Sequence, residues 1–350
     1  MMPALPLRRA GDVAPAVAST YDLDRDALAA LIEGEPPYRA RQVWDGLYRR
    51  LRRPVEMTDL PRALRDRLEP TLRPALHELA WRHADGGDTV KWLFALADGG
   101  RIETVLMAYP DRVTACVSTQ AGCAMACAFC ATGQGGFGRH LRIGEIVEQV
   151  VVAARAAAPR RLSNVVFMGM GEPLANYERV WGAIERIHAD IGISARHLTV
   201  STVGIAPGIR RLATETLPVN LALSLHAAND ELRDRLVPVN RRYPLAVLAD
   251  ACAEYVAASG RRLSIEWALI DGTNDTERDM VELAAFARPL GAHVNLIPLN
   301  PTPGYPVRGT PRTGVVRARD TLVALGVNAT VRVTRGVEID AACGQLAATA

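Results

Sequence analysis

From about residue 113 onward, short apolar runs alternate with longer stretches in which apolar positions recur every three or four residues. The apolar runs cover Val113–Ser118, Leu162–Met168, His197–Thr202, Val219–Leu225, Leu263–Ile270, Val294–Leu299 and Thr330–Thr334. Helical periodicity fills the gaps, as in Gly144–Ala157, Tyr177–Ile191, Leu245–Ala258, Glu277–Arg288 and Thr313–Leu325. Alternation at this spacing predicts an α/β protein with parallel strands and right-handed crossovers. Closure into a barrel, complete or partial, is the expected architecture, and a doubly wound open sheet is the alternative.

The earlier chain reads differently. Leu23, Ala27, Leu28 and Leu31 keep a helical period with Asp22 as the expected cap, and Pro36-Pro37 breaks the chain. A second helix is predicted from about Arg39 to Leu51, with Val43, Trp44, Leu47 and Tyr48 on one face. Thr89–Leu96, a turn at Asp98-Gly-Gly and Arg101–Met107 predict a hairpin. The expected organisation is a disordered Pro/Ala-rich tail over 1–18, a helical accessory domain over 19–84, and one large unit over 85–350. Arg39, Arg41, Arg49, Arg50, Arg52 and Arg53 cluster around the second helix. They read either as a solvated face or as a phosphate-binding surface.

Composition narrows the class without choosing a function. With 49% hydrophobic and 23% charged residues the chain resembles an ordinary globular protein. No run approaches the ~18–20 apolar residues of a membrane span. The first 18 residues hold Arg8 and Arg9 but no continuous apolar core, so no secretory leader is expected. Cytoplasmic residence and reduced cysteines are the expectation. A net charge of +3 mildly favours an RNA partner. Lys91 is the single lysine among 41 basic residues, and coding bias toward arginine accounts for most of that.

Three of six cysteines fall in Cys123-Ala-Met-Ala-Cys127-Ala-Phe-Cys130. Thiolates are soft ligands suited to iron–sulfur clusters, which usually take four of them. Three in a C-x₃-C-x₂-C run predict a 4Fe–4S cube with one iron open to a small molecule. A structural zinc site would need a fourth ligand, for which His140 is the nearest candidate. A ferredoxin run would continue to a fourth cysteine and a proline, and none follows.

Polar groups punctuate successive strand ends. The cysteine run follows the first predicted strand and Gly169-Met-Gly-Glu172 the second. Ser201-Thr202 ends the third, Ser224-Leu225-His226 the fourth, and Asn300 follows the sixth. Barrel sites are built at such ends, although turn chemistry uses similar residues. Gly133-Gln-Gly-Gly-Phe-Gly138 fits G-x-G-x-x-G but follows no strand, so it reads as a flexible cover beside the cysteines. Cys116 lies on the first strand, and Cys343 lies in a loop after the last one. Cys252 reads as a buried small hydrophobe. Glu103 lies inside the second hairpin strand, where a carboxylate is more often on the solvent face of an edge pair, and the pattern alone does not choose.

The cysteine run resembles the signature of radical S-adenosylmethionine (SAM) enzymes. With Cys343 in view, the chain resembles the RlmN group of radical SAM RNA methyltransferases, relatives of the Cfr resistance enzymes. The matching blocks run from Tyr38-Arg-Ala-Arg-Gln-Val-Trp44 to Ala342-Cys-Gly-Gln345. They include Arg101-Ile-Glu-Thr104, Ala115–Cys123, Phe167–Pro173, Ser224–Ala227 and Asn295–Pro301. The resemblance implies a partial (β/α)6-type TIM barrel core and methylation of carbon-2 of an adenine in 23S ribosomal RNA. The adenine 3′ of the anticodon in tRNA is a second substrate in some members. A Cfr-type enzyme acting on carbon-8, or a non-catalytic iron–sulfur RNA-binding protein, is the alternative.

By the same resemblance Cys123, Cys127 and Cys130 hold the cluster. Gly171, Glu172, Ser201, Ser224, Leu225, His226 and Asn300 contact SAM. Cys343 takes a methyl group from one SAM, and a radical from a second SAM activates it for addition to the base. Cys116 then attacks the Cys343 sulfur, forming a transient disulfide that releases product, and Glu103 accepts a proton. A monomer, an external electron donor of the flavodoxin type and no membrane are implied.

Overall fold

The computed structural model describes residues 19–302, 304–332 and 335–348, and the expected tail over 1–18 lies outside them. Ten strands form one sheet: β1 (Leu76–Ala84), β2 (Thr89–Leu96), β3 (Arg101–Ala108), β4 (Val113–Cys116), β7 (Asn164–Phe167), β8 (Leu198–Thr202), β9 (Asn220–Ser224), β10 (Ser264–Leu269), β11 (His293–Pro298) and β12 (Asn328–Val331). β5 (Gln120–Gly122) and β6 (Phe137–His140) make a separate ribbon. The pairs from β1 to β4 are antiparallel, and those from β4 through β12 are parallel. Neighbours follow chain order without a reversal, and β1 does not pair with β12. A doubly wound sheet must reverse its order, so this is a singly wound, partial barrel.

The helices are α1 (Arg25–Leu31), α2 (Tyr38–Tyr48), α3 (Arg62–Leu68), α4 (Ala131–Gln134), α5 (Ile143–Ala156), α6 (Tyr177–Arg186), α7 (Ala206–Ala213), α8 (Asp230–Leu236), α9 (Leu245–Ser259), α10 (Glu277–Ala287) and α11 (Arg312–Ala324). From β4 to β12, helices connect each parallel pair, giving six β/α units and a closing strand. Strands covered on both faces read as nearly continuous apolar runs. Val165, Phe167, Leu221, Leu223, Ile265, Trp267, Val294 and Leu296 are all buried. No helix among the described residues is long and apolar enough to cross a membrane.

The N-terminal unit departs from expectation in two places. Its helices end at Leu68, and Leu76–Ala84 is β1, so part of the stretch assigned to the helical unit belongs to the sheet. The alternation rule missed β1 because seven of its nine residues are exposed. Asp24, not Asp22, caps α1, accepting from Ala27 N at 2.7 Å. Asp22 instead accepts from Gly144 N at 2.9 Å, where α5 begins. The unit is joined to the barrel by buried polar contacts as well as packing. Trp44 Nε1 donates to Asp190 at 2.9 Å, and Ala75 N donates to Glu148 at 2.7 Å. One hydrophobic cluster runs through both parts.

Candidate active site

The cysteine loop is held by short-range geometry. Gly122 has φ +82°, and a Cβ there would lie 2.1 Å from Gly136 O, while Cys123 N donates to that carbonyl at 2.7 Å. Ala126 adopts φ +52°, a conformation costly for a residue with a Cβ and often found at functional sites. Ala128 N donates to Leu236 O, tying the loop to the end of α8. Gly133–Gly138 is an ordered turn of α4 followed by β6, not a flexible cover, because β6 pairs with β5. His140 Nδ1 shares a 3.0 Å hydrogen bond with Gln120 Nε2 and its ring meets Phe137 edge-on; among the described residues it joins no group placed to hold a metal ion.

The donor set fits a cluster. Burial pushes the Cys123 thiol up to about 12, and the Cys127 thiol is raised as well, first by burial and then by Cys130 and Cys123. The three sulfurs therefore lie within electrostatic reach of one another. Buried Arg233 opposes the rise at Cys127; its side chain donates to Leu225 O, Asn240 Oδ1 and Val203 O. Among the described residues no three such groups converge as on a single ion. A cube takes each thiolate at a different iron, so clustering without convergence is what it requires. Metal binding would also hold these otherwise protonated thiols as thiolates.

One cavity at the C-terminal strand ends gathers most of the predicted residues. Cys116, Cys127, Cys130, Gly171, Glu172, Ser201, Ser224, His226, Asn300 and Cys343 line it. Cys123, Leu225 and Glu103 do not. Leu225 is buried, with its N–H given to Glu266 O and its carbonyl to Arg233. Ser201 and Ser224 hydroxyls lie 3.3 Å apart on adjacent strands. His226 has φ +61°, and its Nδ1 accepts from Ala268 N at 2.9 Å. Burial, then Arg233, lowers its pKa to about 3, so the ring is neutral. Its edge meets the Phe129 ring of the cysteine loop at 4.7 Å between centroids.

The Gly169–Glu172 segment serves the fold as well as the cavity. A Cβ on Gly169 would meet Val117 at 2.7 Å, and one on Gly171, at φ +106°, would meet Gln120 Cβ at 2.6 Å. Bare backbone here lets the strand end lie against Val117–Gln120. Glu172 accepts from Leu174 N at 3.0 Å and Val203 N at 2.9 Å, and its own N–H is held by Gln120. Burial raises its pKa to about 7 against these hydrogen bonds. The Thr202 side chain also bonds this carboxylate, and two oxygens with about four acceptor sites still leave room for a cationic ligand.

Cys116 and Cys343 meet in this cavity from distant parts of the chain. Cys343 is exposed to it, and its carbonyl accepts from Asn300 Nδ2 at 3.2 Å. Burial, then Cys343, pushes Cys116 up to about 12, while Arg332 opposes. Glu103 is not solvent-facing: it is 1% exposed and pairs with Lys91 at 2.9 Å. Its other oxygen accepts from Ala347 N at 3.0 Å, so it braces the Cys343 loop from behind. The single lysine of the chain is thus spent on this buried carboxylate. Cys252 is buried, as expected.

Sequence reasoning missed Arg332, Glu266 and Arg233. Glu266 had a visible signal, a charge inside the apolar run Leu263–Ile270. Arg332 had none, because an arginine near a strand end is common in this arginine-rich chain. The clustered arginines are partly committed: Arg50 pairs with Asp59 at 3.0 Å, and Arg49 donates to Ala189 O. Arg41 and Arg52 are exposed.

Comparison with known proteins agrees with this geometry. Residues 117–284 match the Radical SAM superfamily. The chain is 52% identical over 362 residues to a dual-specificity RNA methyltransferase RlmN of Salinispora tropica, covering 99% of this chain and 96% of the relative. Identity to the protein of that name from Roseiflexus castenholzii is 50% over 380 residues, with 93% and 95% coverage. A crystal structure of a radical SAM methyltransferase from Sphaerobacter thermophilus superposes with a TM-score of 0.91 at 49% identity. It covers 96% of this chain and all of that one.

Proposed function

The chain belongs to the RlmN family of radical SAM RNA methyltransferases, and from that premise we propose that it methylates carbon-2 of one adenine in 23S ribosomal RNA and the adenine 3′ of the anticodon in tRNA. A 4Fe–4S cluster and SAM supply, when bound, the methyl group and the one-electron chemistry that an unreactive ring C–H demands. Cys123, Cys127 and Cys130 hold the cluster, and two SAM molecules are used per turnover.

The chain's own residues divide the remaining work. Gly171, Glu172, Ser201, Ser224, Leu225, His226 and Asn300 bind and orient SAM, with Glu172 as acceptor for its ammonium. Because Leu225's backbone groups are already used, its contribution is apolar contact. Cys343 carries the methyl group on its sulfur until the base is joined to it. Cys116 then attacks that sulfur, and the product leaves as a Cys116–Cys343 disulfide forms. Glu103 accepts the proton lost from the ring; its place behind the Cys343 loop requires that loop to shift. A flavodoxin-type donor restores the thiols and the cluster. The accessory helices, with Arg41 and Arg52 exposed, contact RNA phosphate. The protein acts as a cytoplasmic monomer.

The observation that carries this reading is the meeting of Cys116 and Cys343 in the cavity lined by Cys127 and Cys130. Peptide mass spectrometry on anaerobically purified protein tests it. A methyl group on Cys343 is expected. An unmodified thiol in protein with an intact cluster and SAM available would overturn the carrier role. Nucleoside analysis of treated RNA separates 2-methyladenosine from the 8-methyl product.

A further inference from the structure

Two guanidinium groups line the cavity that holds Cys116 and Cys343, and they are committed differently. Arg335 lies over the Tyr109 ring at 4.7 Å and pairs with Asp88 at 3.4 Å. Arg332 follows β12, its backbone N–H fixed to Leu296 O at 2.9 Å. Its side chain turns inward to Glu266 on β10, 3.6 Å away, which is too long for a hydrogen bond. Its other contact is the Met168 sulfur at 4.0 Å. Among the described residues, no oxygen acceptor lies within hydrogen-bond distance of this guanidinium. Glu266 is equally underused: Oε1 accepts from Asn295 and Ser264, while shielded Oε2 accepts nothing.

Met168 brings the thiol and this cation together. It follows β7, which pairs with β4 at Cys116, and its side-chain sulfur meets the Arg332 guanidinium at 4.0 Å. Met168, Glu266 and Arg332 also line a second, polar cavity inside the barrel below, so they form the floor between the two. A half-buried cation with free donors beside a thiol favours the thiolate. Resting on the reading of Cys116 as the thiol that attacks Cys343, we infer that Arg332, anchored on Glu266, is the positioning residue that makes Cys116 a competent nucleophile.

Arg332 and Glu266 also face Cys343, where Arg332 opposes the rise that burial imposes and Glu266 and Cys130 add to it. Of the remaining ionisable groups, Glu172 is held by two backbone N–H groups, and His226 is neutral. Tyr109 lies beneath Arg335. A floor that merely fills space gives a different outcome from a charge that acts. Loss of either Arg332 or Glu266 would harm a filler alike, whereas the electrostatic role gives them opposite signs.

The experiment is iodoacetamide alkylation of Cys116 in the holoenzyme between about pH 7 and pH 9, followed by site-resolved mass spectrometry. The sulfur–carbon bond forms, iodide leaves, and the thiol proton goes to buffer. Because burial pushes the Cys116 thiol up to about 12, the rate in this range follows the thiolate fraction. Arg332→Gln should slow Cys116 about tenfold at every pH, equivalent to about one pKa unit, and Arg332→Lys should recover most of the loss. Glu266→Gln should accelerate it, since the cation then serves the thiol alone. An Arg332→Gln rate within about twofold of wild type overturns the proposal, as does equal slowing by Glu266→Gln. A wild-type Cys116 that does not react at any pH overturns instead the underlying reading of it as a nucleophile.

Discussion

The cysteine loop and the Cys116–Cys343 pair sit in one cavity, yet they are built in opposite ways. The loop draws three thiols from eight consecutive residues, fixed by local devices: a left-handed Gly122, a strained Ala126 and a two-stranded ribbon. The pair draws one thiol from the end of β4 and one from the loop beyond β12. Only the winding of the open sheet through all its units from β4 to β12 brings them together. A site made of neighbours tolerates motion elsewhere in the fold. A site made of distant segments inherits every error in the packing between them.

Substitution can separate the two regions. Cys127→Ala should abolish both iron binding and RNA methylation, because the two remaining thiols cannot hold the cube; iron analysis and product assay check it. Cys343→Ala should abolish methylation just as fully while leaving iron content at the wild-type level. Loss of iron in that variant would show that the two regions are not separable.

Glu172 gives a graded test of the wall between them. Burial raises its folded-state pKa to about 7, above the ordinary value of 4.5. The folded protein therefore holds the extra proton in that window, and stability falls as pH rises from about 4.5 to about 7, by about 3 kcal/mol in all. Glu172→Gln should lack this fall. Denaturation of apo protein at both ends of the window measures it, and identical pH dependence in wild type and variant would contradict it. The smallest effect is expected from Asn300→Ala, which removes one hydrogen bond to Cys343 O worth about 1 kcal/mol. Faster hydrogen exchange confined to the segment around Cys343, with the cysteine loop unchanged, is the expected signature.

Legibility followed the range of each interaction. The strand and helix order was readable because buried parallel strands need apolar runs and their crossovers need amphipathic helices. β1 was not readable, since an exposed edge strand carries Trp81, Arg82 and His83 without the alternation that burial would impose. The role of Asp24 over Asp22 turned on a contact with Gly144, far along the chain. The face that Glu103 takes was not readable, because its partner, Lys91, is identified only by the register of β2 against β3.

The sequence alone determined the α/β alternation, the three-thiol loop and the order of polar groups at successive strand ends. Each depends on spacing within a few turns or strands, which the chain carries as a pattern. Tertiary structure alone decided that the sheet stays open, that Glu103 is buried behind the Cys343 loop, and that Arg332 faces Cys116 across Met168. Those outcomes depend on which residues the winding of the sheet brings within a few ångströms of each other, and burial then sets their charge. No local pattern encodes such a distance.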